Sequence, residues 1–297
     1  MFKGSIVALV TPFSNGKVDE LRLRELVDYH VKGGTDAISP CGTTGESPTL
    51  SHEEHKKVIQ IVVEQANKRV PVIAGTGSNS TDEAVDLTRF AKRAGADASL
   101  QVCPYYNKPT PEGQYRHFEK IAKEADIPII LYNIPGRTGI TMTPETIARL
   151  SKIETIVAVK EAAGSLDQVS QILSLCDITV LSGDDSLTLP MMSVGAKGVI
   201  SVAANIVPKD VAVMTHYALK GTYDKARELH YKLFPLCKVL FIETNPIPVK
   251  TAMEALGMIK GELRLPLCPM SEANTAALRK SLVDYGLLPA SKLKARG

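Results

Sequence analysis

"IVAVKEA", residues 156–162, is the stretch on which the fold turns. Its residues favour extended structure, and the run is short enough for a strand buried on both faces. One lysine, Lys160, sits inside it. Burying an ammonium is expensive unless the group is paired or neutralised. Strand alternation places Ala158 and Lys160 on one face and Val157 and Val159 on the other. With the valines turned toward helices, Lys160 points into whatever the strands enclose.

Working outward, seven further apolar runs have the same character: "SIVALVTP" (5–12), "DAISPCG" (36–42), "VPVIAGTG" (70–77), "ASLQVCP" (98–104), "IPIILYN" (127–133), "ITVLSGD" (178–184) and "GVISVAA" (198–204). Amphipathic stretches such as "SHEEHKKVIQIVVEQANK" and "STDEAVDLTRFAKRAG" separate them, with apolar residues at three- and four-residue steps. Ser51 and Ser80 stand as N-caps, Ser51 with Glu54 three residues on, and Gly95 stands at a C-cap position. Eight strands alternating with helices imply parallel pairing, and eight units close a (β/α)8 TIM barrel. A doubly wound open sheet would need a phosphate fingerprint after the first strand, and "TPFSNG" is not one. Beyond residue ~205 the pattern turns helical, with "DKARELHYKLFPLCKVLF" and "SEANTAALRKSLVDYG" flanking a break at Pro246 and Pro248. The division expected is a catalytic barrel over 1–224 and a C-terminal helical subdomain over 225–297, ending in the basic tail "SKLKARG".

Composition narrows the function classes. The 297 residues are 44% hydrophobic and 23% charged, ordinary for a globular chain, and the formal net charge is only +3. Scattered basic residues and 5% aromatics give nucleic-acid binding little support. The apolar N-terminal run, closed by Pro12, is too short to span a bilayer and lacks the features of a signal peptide. Five cysteines, Cys41, Cys103, Cys176, Cys237 and Cys268, form no CxxC pair and are odd in number. A disulfide framework or zinc site is therefore not expected, and a reducing cytoplasmic compartment fits.

Barrel enzymes carry their chemistry at the C-terminal ends of the strands. Those ends read Thr11-Pro12, Gly42-Thr43-Thr44, Gly75-Thr76-Gly77, Tyr105-Tyr106-Asn107, Tyr132-Asn133, Lys160-Glu161, Gly183-Asp184 and Ala204-Asn205. This is an inventory for acid–base work and small anions, and it calls for no metal or cofactor. A desolvated Lys160 would offer a neutral amine able to attack a carbonyl, and the resulting imine is an electron sink. The strand alone is equally compatible with a lysine that snorkels or pairs. "CGTTGES" (41–47) offers turn N–H groups and two hydroxyls to a carboxylate or phosphate, or is a plain glycine-rich turn. In "LYNIPGRTG" (131–139) Tyr132 can exchange a proton and Arg137 can grip a carboxylate. Locally satisfied structural roles compete for both. "CPYYNKPTPEG" (103–113) carries a tyrosine pair of the kind that anchors subunit interfaces. "SHEEH" (51–55) is not HExxH and reads as a solvated helix face or an effector or interface element.

"GTTGES", "YYNKP", "YNIPGRTG", "VKEA" and "SGDD", in this order, closely resemble the dihydrodipicolinate synthase family. That family belongs to the pyruvate-dependent class I aldolase/lyase superfamily. The resemblance runs from "GSIVALVTPF" through "NPIPVK" to "LRLPL" and leaves out only the last dozen residues. It implies condensation of pyruvate with L-aspartate 4-semialdehyde, a step of lysine biosynthesis through diaminopimelate. Lys160 would form the Schiff base, and Thr44 and Ile200 would help hold pyruvate. Tyr132 would relay protons with Thr43 and with Tyr106, the latter reaching in from a neighbouring subunit. Arg137 would bind the carboxylate of the semialdehyde, and the Gly183 carbonyl would lie near the condensing groups. Ser47, His52, His55, Asn79, Glu83 and Tyr105 match an inter-subunit site for free L-lysine as feedback inhibitor. Pro48 departs from the alanine expected there, and Ser39-Pro40-Cys41 is an unusual lead-in to the threonines. The assembly implied is a homotetramer of two tight dimers. Two other functions remain open: a sibling aldolase acting on a sugar acid or a hydroxyproline-derived keto acid, and a catalytically silent sensor of small acids.

Overall fold

The structure is a computed structural model and describes residues 2–292. Eight strands form one parallel sheet: β1 (Gly4–Ala8), β2 (Ala37–Ser39), β3 (Ile73–Gly75), β4 (Ala98–Val102), β5 (Ile129–Asn133), β6 (Ile156–Glu161), β7 (Thr179–Ser182) and β8 (Gly198–Ser201). Each pairs with its sequence neighbour, and β8 returns to β1. The last seam, β2 to β3, is held by a single parallel bridge, Ile38 to Val72, and by the Gly75 N–H on the Pro40 carbonyl at 2.9 Å. The sheet is thereby a closed (β/α)8 barrel, as expected from the eight apolar runs. Gly198 and Gly4 face each other across the β8–β1 seam so closely that a Cβ on Gly198 would lie 2.1 Å from the Gly4 carbonyl oxygen.

Twelve α-helices accompany the strands among the described residues. They are α1 (Glu20–Lys32), α2 (His52–Ala66), α3 (Thr81–Ala94), α4 (Pro111–Ala125), α5 (Pro135–Thr138), α6 (Pro144–Leu150), α7 (Leu166–Leu175), α8 (Thr188–Ser193), α9 (Pro208–Leu219), α10 (Tyr223–Val239), α11 (Ile247–Ala255) and α12 (Glu272–Asp284). The reciprocal Ser51–Glu54 capping box opens α2, and Gly95 closes α3 at φ +96°. Ser80 occupies the N-cap of α3 but makes no side-chain cap; its own N–H bonds Ser78 Oγ at 3.1 Å. From Leu293 onward the basic tail lies outside the described residues.

Two buried layers result. Ile6, Ile73, Leu100, Ile130, Leu181 and Ile200 fill the barrel interior. Val7, Ile38, Leu131, Val159, Val180 and Val199 face outward onto the helices, where Ile61, Phe118 and Ile172 meet them. Ala158 is interior and Val159 exterior, so the phase read for β6 holds around Lys160. Val157 departs from that reading. Ile129 pairs with Ile156 but Ile130 with Ala158, so Val157 is the extra residue of a bulge and packs against the interior cluster. The bulge lies at the start of β6, before the phase that aims Lys160 inward is set.

Candidate active site

Lys160 pairs in register with Tyr132 on β5 and with Leu181 on β7. It is 6% exposed, and its Nζ lies 4.0 Å from the centroid of the Tyr132 ring. Among the described residues no carboxylate comes within ion-pairing distance of it. Burial drives its pKa down to about 7, opposed by the buried Asp185 carboxylate and assisted by the Arg137 guanidinium. The adjacent Glu161 does not neutralise it. Its carboxylate faces away, accepting from Asn133 Nδ2 at 2.9 Å, Gln168 Nε2 at 3.1 Å and the Ala163 N–H at 2.7 Å. Asp185 is likewise engaged, by Ser201 Oγ at 2.5 Å and the N–H groups of Val202 and Ala203 at 2.9 and 3.0 Å. Lys160 is thus an amine that is largely neutral just above neutrality, held against a phenol.

Tyr132, at the end of β5, is buried, and desolvation pushes its pKa up to about 12 against the pull of Arg137 and of a hydrogen bond with Thr43. The phenol therefore carries its proton at neutral pH and has a hydroxyl beside it to pass that proton on. Arg137 sits in α5, the single turn that follows β5, and its Nη2 donates to the Asn245 carbonyl at 3.0 Å. Thr44 is buried, and its hydroxyl accepts from Asn245 Nδ2 at 3.0 Å. Ile200 lies in the interior cluster with Tyr132. Gly183 follows β7, where an added Cβ would stand 3.1 Å from Lys160 Cε and 2.7 Å from Ala162 Cβ, so the lysine stem uses the space that glycine leaves. Tyr106 is apart from this group: it is 89% exposed on the loop after β4, at φ +70°, a rare backbone state for an aromatic residue.

A cavity of about 430 Å³ runs from Thr43, Tyr132 and Arg137 to Ser47, His52, His55, Glu83 and Tyr105. Members of the two groups read separately in the sequence therefore share one space, whereas Lys160, Thr44, Gly183, Ile200 and Asn79 do not line it. His52 Nε2 lies 3.2 Å from Glu83 Oε1, Ser78 Oγ also bonds Glu83, and Asn79 Nδ2 donates to the Tyr105 carbonyl at 3.2 Å. His55 is buried with Nε2 2.7 Å from the Gly75 carbonyl, and burial lowers its pKa.

The sequence reading missed Asn245, which touches both Arg137 and Thr44, and Asp185 as the buried anion nearest Lys160 in effect. It also missed Lys250 and Glu46, an ion pair at 2.5 Å with both side chains fully buried. A signal for Lys250 was present: "IPVKTAM" is a second apolar run with a lysine inside it.

The fold and site define a (β/α)8 barrel lyase in which a buried lysine, without a carboxylate partner among the described residues, lies beside a proton-bearing tyrosine. The chain belongs to the dihydrodipicolinate synthetase family, whose model matches residues 1–284. A relative named 4-hydroxy-tetrahydrodipicolinate synthase, from Geobacter sulfurreducens, is 60% identical over 290 residues, covering 97% of this chain and all of the relative. The chloride-inhibited dihydrodipicolinate synthase from Acinetobacter baumannii, complexed with pyruvate, has 46% identity and a TM-score of 0.95 over 97% of this chain and 100% of that one. The DHDPS of Cyanidioschyzon merolae with lysine bound has 42% identity and a TM-score of 0.94 over 97% and 99%.

The depressed Lys160 pKa has a stability consequence with a definite sign. Below pH ~7 the folded state must hold a buried ammonium, so the full desolvation penalty applies. Between the folded value of about 7 and the ordinary value of 10.5 the unfolded chain binds the extra proton, and the penalty falls as pH rises. Lys160→Met is expected to stabilise the protein by on the order of a few kcal/mol near pH 6, with the gain shrinking toward pH 10. Urea midpoints of both proteins across that range check it.

Proposed function

We propose that this chain is a Schiff-base lyase that condenses pyruvate with L-aspartate 4-semialdehyde to 4-hydroxy-tetrahydrodipicolinate, in lysine biosynthesis through diaminopimelate. The observation that carries the reading is Lys160: buried, without a carboxylate partner, lowered to about 7, and packed on Tyr132. Its neutral amine attacks C2 of pyruvate, and loss of one water leaves an imine. Removal of a methyl proton from that imine gives an enamine, whose carbon attacks the aldehyde. Tyr132 protonates the alkoxide that forms, and Thr43 hands protons to and from the phenol. The amino group of the semialdehyde portion then attacks the imine carbon, closing the ring and releasing Lys160. The balance is one pyruvate and one semialdehyde giving one product and one water.

In this reading Arg137 grips the semialdehyde carboxylate, and its guanidinium is aimed by the Asn245 carbonyl. Thr44 and Ile200 flank the pyruvate end, and the Gly183 carbonyl stands beside the condensing carbons. Tyr106 completes the relay of a neighbouring copy; its exposure and its rare backbone state support a residue offered outward. The assembly that follows is a homotetramer of two tight dimers, working in the cytoplasm, where five free cysteines are at home. No helix among the described residues is long and apolar enough to cross a membrane. The names of the relatives give no support to the sibling aldolase or the silent sensor.

The far end of the cavity is read as a site for free L-lysine. The Glu83 carboxylate and the hydroxyl and carbonyl groups around it suit an α-ammonium and an ε-ammonium. Ser47, His52, His55 and Tyr105 wall that end, with Asn79 behind Tyr105.

Three experiments test these readings. Borohydride reduction with pyruvate is expected to add one reduced pyruvate to Lys160, and Arg137→Ala to lower kcat/KM for the semialdehyde by about 100-fold, the loss of a charge-assisted pair. No adduct, or turnover unchanged in Arg137→Ala, contradicts the assignment. Initial rates are expected to fall across millimolar free L-lysine, less steeply in Glu83→Gln; a flat response removes the effector site.

A further inference from the structure

The loop 41–47 carries Thr43 to Tyr132 and Ser47 to the far end of the same cavity. Its backbone enters and leaves through two residues in the left-handed region, Cys41 at φ +57° and Glu46 at φ +53°. Neither is glycine, so the conformation persists only where neighbouring groups enforce it. The enforcing groups come from the ends of the chain. Thr11 Oγ1 donates to the Gly45 carbonyl at 2.7 Å. Lys250 Nζ, from α11, donates to Glu46 Oε1 at 2.5 Å and to the Thr11 carbonyl at 3.1 Å. The Arg264 N–H donates to Glu46 Oε2 at 3.2 Å. The Phe13 ring packs against both cations, with Lys250 Nζ and Arg264 Cζ each 4.3 Å from its centroid. Arg264 is itself held by Glu54 of α2.

We infer that Lys250, acting through Glu46, is a positioning residue for the condensation: it fixes the left-handed turn that keeps Thr43 on Tyr132. The inference rests on the function proposed above. Lys250 touches none of the reacting groups, and α11 otherwise packs as an ordinary buried helix. A buried pair does not usefully stabilise a fold compared with apolar residues of similar size, whereas removing one partner alone strands a charge. What the pair supplies is geometry. Small misplacements of a proton-relay group are costly to rate even where binding survives.

The test uses Glu46→Gln/Lys250→Met, which removes both charges and strands neither. Competent sites are counted by end-point borohydride trapping of pyruvate on Lys160, and turnover is expressed per trapped site. The double variant is expected to trap pyruvate stoichiometrically and to keep KM for the semialdehyde within about threefold, because Asn245 still holds Arg137. Its kcat per trapped site is expected to fall about 10-fold or more. A kcat per trapped site within about twofold of wild type overturns the inference, since a merely structural pair changes the number of competent sites and not their rate. If the double variant does not fold, Lys250→Arg keeps the charge and shifts the donor. A fall of about threefold or more per site then supports the inference, and an unchanged value overturns it. Wild-type protein that traps no pyruvate overturns the proposed function itself.

Discussion

The structure depends on one unfavourable burial that no ion pair among the described residues offsets. Lys160 is desolvated, sits on an aromatic face and finds no carboxylate within ion-pairing range among the described residues. The chain contains the obvious partners and employs each elsewhere. Glu161 is turned outward onto Asn133, Gln168 and the Ala163 N–H, and Asp185 is saturated by Ser201 and two backbone donors. Lys250 shows the alternative outcome for a lysine in an apolar run. It meets Glu46 at 2.5 Å, and that carboxylate works against the lowering of its pKa by burial. Pairing separates a lysine that holds structure from a lysine available for chemistry.

The barrel makes this arrangement possible. Parallel strands bring Tyr132 and Lys160 into direct register, so a phenol and an amine from adjacent strands meet without a loop to position them. The end of β7 closes on the lysine stem only because residue 183 has no side chain. Arg137 and the loop that carries Thr43 come from the βα connections and meet the C-terminal segment, Arg137 and Thr44 at Asn245 and Glu46 at Lys250. The helices after the barrel therefore reach the catalytic mouth as well as covering the barrel wall.

The strands were legible because each is a short apolar run bounded by turn residues, and the inward phase of Lys160 followed from alternation alone. Val157 was misplaced because a bulge changes parity locally, and no composition rule marks it. Ser80 stood at the right position for a cap but does not act as one, since Ser78 Oγ takes its N–H. Lys160, Tyr132, Thr43 and Arg137 could be gathered from strand ends. Asn245 and Glu46 could not, because their partners lie 201 and 204 residues away in sequence. Tyr106 remains legible only as a motif, since within one copy of the chain it faces outward.

The central claim is that burial, left unpaired, keeps the Lys160 amine neutral near physiological pH. Its most direct test is an NMR titration of ¹³C-labelled lysine side chains, with the Lys160 signal assigned by its loss in Lys160→Met. The account requires a midpoint near pH 7, well below the other lysines. A midpoint close to the ordinary value of 10.5 would contradict it.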